Sequence, residues 1–307
     1  MAPHVPGHVY LRGVPPNGID QGTLAIWGLR YPLKGNEMDI TLRSDMLVEV
    51  LDVMGDDWTI LQDARESLRS ARKTGSDPNR DQGLETEATN DRPRSQLTDR
   101  DRRLLRDFFR LGHASTLRGC ILKVRLEVPI FIQREIRTHW VGMKQHWVEA
   151  EESDWLGFND QSGRYRTYRP IFWVPKPSRP FQEADGFTPM QPAFIHPGPD
   201  AYEHLIQQMI HSYHVAWTAY QRLLASGVAR EVARSLMPEG TYVSGRITAN
   251  LNAWFGFIAV RTKHPASIRP SFPQREIEDV ASQIEAAIER YWPEAYQAWL
   301  EGGRCRP

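Results

Sequence analysis

Apolar and polar residues alternate most regularly in the stretch CILKVRLEV, where Leu122, Val124, Leu126 and Val128 fall on one side and Lys123, Arg125 and Glu127 on the other. A period of two predicts a half-buried strand. Further upstream, MLVEVLDVM predicts a buried strand that turns at Gly55 and continues as a helix through Ile60, Ala64 and Leu68. Thr98 and Asp99 can cap a helix carrying Leu104, Leu105, Phe108 and Phe109 that ends near Gly112. After the strand, PIFIQREIRTHW predicts a helix with Pro129 at its first turn. A long amphipathic helix places Tyr202, Leu205, Ile206, Met209, Ile210, Tyr213, Trp217, Tyr220 and Leu224 on one face, and Gly227 stops it. A last helix starts near Pro273, turns Ile277, Val280, Ile284, Ile288 and Tyr291 inward, and is interrupted at Pro293.

Between these elements the pattern lapses in two places. Residues 1–46 are rich in Pro and Gly with short apolar runs, which predicts an added arm rather than a domain. Residues 72–98 are almost wholly polar and predict a surface insertion. There is no internal repeat. Long helices around a small sheet make an α+β protein, with the main domain at 47–307.

Composition narrows the chemistry. Thirty-eight basic residues balance thirty-eight acidic ones, so no global field recruits nucleic acid or a membrane surface, and any anion must be bound locally. No apolar run approaches the roughly 20 residues of a membrane span, and no signal-peptide core opens the chain, so a cytoplasmic protein is expected. Cys120 and Cys305, the two cysteines, cannot build a disulfide framework or a four-thiolate metal site. The histidines, including the i,i+3 pair His211 and His214, share no metal-binding geometry with carboxylates or thiols, so no metal is expected.

Three segments carry candidate chemistry. FNDQSGRY joins a hydroxyl at Ser162, close backbone approach at Gly163, a forked cation at Arg164 and an aromatic at Tyr165. That combination suits a nucleotide monophosphate, and on spacing alone it equally suits a turn with a surface arginine. SGVAREVARSLMP sets Arg230 and Arg234 four apart on one helical face, with Glu231 between them. NLNAWFGFIAVR is an apolar run that ends in Arg261. An arginine closing a buried element needs an acceptor, either a structural carboxylate or an anionic ligand, and periodicity does not choose between them.

Taken in order, VEVLDVMGDDWTILQDAR, LGHAS, VPIFIQREIRTHW with FNDQSGRY, SGVAREVARSLMP, NLNAWFGFIAVR and PQREIEDVA resemble the flavin-dependent thymidylate synthases over most of residues 48–300. The resemblance implies a small, curved, mostly antiparallel sheet flanked by long helices, and a homotetramer with FAD bound between subunits and shared active sites. It implies that Ser162, Gly163, Arg164 and Arg230 grip the nucleotide, that Glu135 contacts it where the family usually has glutamine, and that Arg261 contacts and polarises the pyrimidine. For FAD it implies His139, Asn159, Asp160 and Asn250. Gln274 matches a family glutamine whose role stays open.

The departures surround the same site. The family motif RHR is Thr138-His139-Trp140, so Arg134 or Arg137 must supply the lost cations. The family glutamate is Asp160, a family histidine falls at Gly119, and insertions are expected at 141–157 and 262–272. A branch of the family methylates UMP and dUMP in polyoxin-type antibiotic biosynthesis, and this remodelled site is similar to that branch. The resemblance therefore implies C5-methylation of UMP, dUMP or both, with 5,10-methylenetetrahydrofolate as carbon donor and NADPH regenerating reduced FAD. Two other readings stand beside it. A dUMP-specific housekeeping thymidylate synthase predicts rescue of a thymidine auxotroph, and a nucleotide-binding paralogue without catalysis predicts a colourless protein.

Overall fold

The computed structural model describes residues 23–26, 29–32, 40–72, 97–138, 155–188 and 191–305. In chain order the elements are β1 (Thr23–Ile26), β2 (Leu29–Pro32), β3 (Thr41–Arg43), β4 (Leu47–Met54), α1 (Asp57–Arg72), α2 (Asp99–Leu111), β5 (Ile121–Pro129) and α3 (Ile130–Thr138). There follow β6 (Trp155–Asp160), β7 (Ile171–Trp173), β8 (Gln182–Glu183), β9 (Phe194–Ile195), α4 (Pro199–Ala225), α5 (Arg230–Ala233), β10 (Tyr242–Asn250), α6 (Leu251–Arg261), α7 (Arg275–Tyr291) and α8 (Pro293–Glu301).

The main sheet runs β4-β5-β10-β6, antiparallel throughout. The expected alternation in β5 decides its faces. Leu122, Val124, Leu126 and Val128 enter the core with Ile247 and Ala249 of β10, under α1, α2, α3, α6, α7 and α8. The opposite face carries Glu49, Arg125, Arg246 and Asn159 in one row, because these residues pair directly across all four strands. Burying each aliphatic side chain contributes about 1.5–3 kcal/mol. A second core packs β3 and β7, themselves parallel, against α4 through Leu42, Phe172, Ile206, Ile210, Tyr213, Trp217 and Tyr220.

Local signals account for the helix ends. Thr98 and Asp101 form a reciprocal capping box on α2, and Gly112 closes it in the left-handed conformation at φ 71°. Asn250 caps α6 by accepting a hydrogen bond from the Ala253 amide at 2.9 Å. At α3, the Ile130 and Phe131 amides donate to the carbonyls of Thr241 and Glu239, satisfying groups that the first turn leaves unpaired.

Three expectations are corrected. β4 is an edge strand rather than a buried one: among the described residues it pairs only with β5, is bulged between Val50 and Asp52, and leaves Leu51 and Met54 exposed. Part of the predicted arm belongs to the body, since Ile40, Leu42 and Met46 are buried. Trp155–Gly157, placed in an insertion, begin β6, while residues 73–96 and 139–154, which hold most of the insertions expected at 72–98 and 141–157, lie outside the described residues. Arg230 and Arg234 stand one helical turn apart, the Arg234 amide donating to the Arg230 carbonyl, although the helix is short. α5 lasts four residues and passes into a 3-10 turn at Arg234–Leu236. Central strand β10 is not among the elements the pattern predicts, because Gly245 leaves one inward position of its alternation without a side chain.

Candidate active site

Helices α3 and α6 continue directly from β5 and β10, neighbouring antiparallel strands, and therefore start at opposite ends of one ladder. Nine strand residues span roughly 30 Å, while helices of nine and eleven residues reach about 14 and 17 Å. Running back along the ladder, their last turns meet near its middle. There Arg261 Nη1 donates to Glu135 Oε1 at 2.7 Å, with the two side chains 22% and 23% exposed. Arg261 Nε is buried with no hydrogen-bond partner among the described residues. Burial pushes the Glu135 carboxyl above the usual carboxylate range; Arg261 opposes this and nearby Glu276 adds to it. Glu276 is itself buried, in a forked pair with Arg179 whose Nη2 lies 3.0 Å from Oε2. Gln274 donates to Glu276 at 2.8 Å, so in this chain it braces the pocket's second carboxylate.

The Ser162 turn forms a second group. The Gln161 amide donates to the Ser244 carbonyl at 2.8 Å, fixing the turn to β10. Ser162 Oγ accepts from the Arg164 amide at 3.3 Å. Gly163 is required sterically, since a β-carbon there would sit 2.8 Å from the Tyr168 ring. Arg164 Nε pairs with Glu231 at 3.0 Å, both exposed, and Arg230 opens the adjacent α5 as an exposed residue.

A third group lies at the end of β6. Asp160 points to the core face, opposite Gly245, where a β-carbon would come within 2.5 Å of its Oδ1. It pairs with Arg137, whose guanidinium stands 5.5 Å from the Phe158 ring centroid. Arg134 pairs with Glu239. Asn159 is exposed on the other face of the sheet, and Asn250 is buried as the α6 cap. His139 and Trp140 lie outside the described residues.

Hydrogen bonds and ion pairs thus bring together Arg261 with Glu135, Ser162 with Arg164, and Arg137 with Asp160, but divide the predicted residues into three groups. Sequence reasoning missed Arg179, Glu231 as a partner, Glu239 and Arg246. Arg179 lies in a Pro-rich passage without any motif, and Arg246 could have been found only by recognising β10. Cys120 is excluded as a nucleophile. Its thiol is fully buried, bonded to the Asp56 carbonyl at 3.6 Å, and pushed up to about 12 by burial.

Residues 49–294 match the family model described as thymidylate synthase complementing protein. A flavin-dependent thymidylate synthase of Streptomyces coelicolor is 32% identical over 278 residues, covering 90% of this chain and 99% of that protein. Among solved structures, the UMP/dUMP methylase PolB from Streptomyces cacaoi, bound with 5-Br UMP, superposes with a TM-score of 0.69 at 29% identity, covering 87% of this chain and 99% of PolB. The same protein bound with 5-Br dUMP gives a TM-score of 0.67 at 30% identity. With its antiparallel sheet, its paired helix ends and this match over most of its length, the chain belongs to the flavin-dependent thymidylate synthase family, on the divergent branch that resembles PolB.

Proposed function

We propose that this protein methylates C5 of a uridine monophosphate, UMP, dUMP or both, using 5,10-methylenetetrahydrofolate as carbon donor and NADPH-reduced FAD as hydride source. The observation that carries the reading is Arg261, held by Glu135 through Nη1 at 2.7 Å while 22% of its side chain stays open to solvent. A pyrimidine carbonyl can accept a hydrogen bond from that open part of the guanidinium. Hydrogen-bonded there, the guanidinium stabilises negative charge that develops on the ring oxygen as C5 becomes nucleophilic. Glu135 orients the guanidinium and, as an acceptor, complements the ring N3–H. Ser162 and Arg164 hold the phosphate, aided by Gly163 and Arg230, so that the ring is fixed before reaction. With Cys120 inert, the reading has no place for a thiol adding to the ring.

The chain's donor set fits a flavin dinucleotide. Arg134 and Glu239 are both more than half exposed, so that pair exchanges for phosphate oxygens at little cost; Arg137 is half exposed and can add a phosphate contact while keeping its pair with the mostly buried Asp160. Asn159, exposed beside Arg246, adds an amide and His139 belongs to the proposed cofactor set, which Asp160 and Asn250 support from behind by holding Arg137 and the start of α6. The bound flavin supplies hydride that reduces the transferred one-carbon unit to methyl. The separation of the residues into three groups supports assembly of complete sites between subunits of a homotetramer. The resemblance of the remodelled site to the polyoxin-type branch supports a role in nucleoside antibiotic biosynthesis. Among the described residues no helix is long and apolar enough to cross a membrane, and a cytoplasmic location is part of the proposal.

Tritium release from 5-tritiated UMP and dUMP, measured in parallel with FAD, methylenetetrahydrofolate and NADPH, tests the reading. Folate-dependent release from UMP supports the specialised methylase, and release from dUMP alone supports thymidylate synthesis. Binding of both nucleotides without release overturns the proposed catalysis.

A further inference from the structure

Directly after Arg261 the chain enters Thr262, which is buried, and Thr262 Oγ1 donates back to the Ile258 carbonyl at 3.0 Å. The same oxygen accepts a hydrogen bond from Arg304, far along the chain. Arg304 is an unusual residue. Its side chain is 0% exposed, and it holds a left-handed backbone at φ 56°, the one non-glycine residue among those described to do so. A side chain disfavours that conformation, so contacts elsewhere must fix it.

Those contacts are specific. The guanidinium forks onto Glu285 of α7, with Nη2 3.1 Å from Oε2, and stands 4.4 Å from the Trp299 ring centroid. The Arg304 amide donates to the Trp299 carbonyl at 3.0 Å, and Trp299 Nε1 donates to the Cys305 carbonyl at 2.8 Å. Trp299 in turn packs on Phe255 of α6 at 4.8 Å between ring centroids. The loop after α6 joins the same turn, because the Ile268 amide donates to the Gly303 carbonyl at 3.1 Å and Ser271 Oγ donates to the Val260 carbonyl at 2.6 Å. Helix α6 is therefore gripped in its middle at Phe255, in its last turn at Val260, and at its C-cap Thr262.

We propose that Arg304 is a positioning residue for Arg261: its fork on Glu285 and Thr262 fixes the end of α6, and so the direction in which Arg261 presents its guanidinium to the pyrimidine. The inference rests on the reading of Arg261 given above. A helix end is the part of a helix most prone to fray, and α6 ends at the residue on which that reading depends. Lysine at position 304 keeps the charge but cannot bond Glu285 and Thr262 as a planar fork.

The test is a double-variant cycle on the full chain. Arg304→Lys, Thr262→Val, Arg261→Ala and the double variant Arg304→Lys/Arg261→Ala are compared by thermal melting, by calorimetric UMP and dUMP binding, and by kcat and KM from tritium release. Thr262→Val keeps the buried shape and removes only the hydroxyl that Arg304 binds. Arg304→Lys and Thr262→Val are expected to lower kcat about tenfold with KM within about twofold. Adding Arg304→Lys to Arg261→Ala is expected to cost nothing further in kcat, because both act through one group. Multiplying losses in the double variant, or unchanged kcat in both single variants while Arg261→Ala is impaired, overturns the positioning role. If the wild type binds nucleotide without turnover, the catalytic reading of Arg261 falls and the positioning role falls with it. An Arg261→Ala protein indistinguishable from wild type, or a wild type that neither binds nor converts nucleotide, overturns the site reading itself.

Discussion

Arg261→Ala should separate catalysis from stability in a way that Glu135 controls. In the folded protein the 2.7 Å pair lies at one-fifth exposure, where an attraction of roughly 4 kcal/mol at an effective dielectric near 20 is largely offset by desolvation. Removing the arginine leaves a carboxyl that burial and Glu276 already push upward, and without its cation that carboxyl takes up a proton at higher pH. The stability loss should therefore be only about 1–2 kcal/mol at neutral pH and should shrink as pH falls. A raised carboxyl contributes stability that is complete below its unfolded pKa and lost as pH rises through the folded one. Adding Glu135→Gln removes the charge and should recover most of the stability at pH 7.5. Activity should not return. One charge-assisted hydrogen bond to the developing oxyanion is worth about 1.5–3 kcal/mol, which corresponds to roughly tenfold to 150-fold in kcat/KM. Chemical denaturation and tritium release on the wild type and these two variants measure both quantities. Turnover restored in Arg261→Ala/Glu135→Gln, or an Arg261→Ala protein of normal kcat, would refute the assignment of Arg261 to the pyrimidine.

Three further outcomes are expected. Arg164→Ala should raise the nucleotide KM about tenfold with little change in stability, since its pair with Glu231 is exposed; Gly163→Ala should raise KM too, because its β-carbon meets Tyr168 at 2.8 Å, and unaltered KM in both would remove the turn from the phosphate site. Arg137→Ala should weaken FAD binding about tenfold, read from the absorbance of retained flavin, whereas full retention would show that Arg137 does not replace the missing family cations. Asp57, buried while accepting the Glu294 and Ala295 amides at the start of α8, is raised from 3.8 to about 6 by burial. That shift corresponds to about 3 kcal/mol of stability, present below about pH 4 and lost as pH rises through about 6; Asp57→Asn should flatten this slope in denaturation series at pH 4.5, 6 and 7.5, and an unchanged slope would rule Asp57 out as its source.

Much of this protein was legible in the chain because the determining physics is local. The alternation of β5, the Thr98 box and Gly112 on α2, the inward stripe of α4 and the turn at Gly55 are set by periods and caps within a few residues of one another. The Ser162-Gly163-Arg164 turn and Arg261 could be named for the same reason, as residue types at fixed spacing. Local pattern failed where the decision was made across the fold. Whether MLVEVLDVM is central or at an edge depends on which strands lie beside it, and β10 is recognisable as a strand chiefly from its two neighbours. Sequence left open whether Arg261 meets a carboxylate or a ligand. Tertiary structure supplied Glu135 for one nitrogen and no acceptor among the described residues for another. Arg179 on Glu276, Glu239 on Arg134 and Arg304 on Thr262 join residues 97, 105 and 42 positions apart. No period or motif encodes such distances. They follow from two helices leaving opposite ends of one strand ladder and from a final turn folding back onto α6, arrangements fixed by the burial of the whole core.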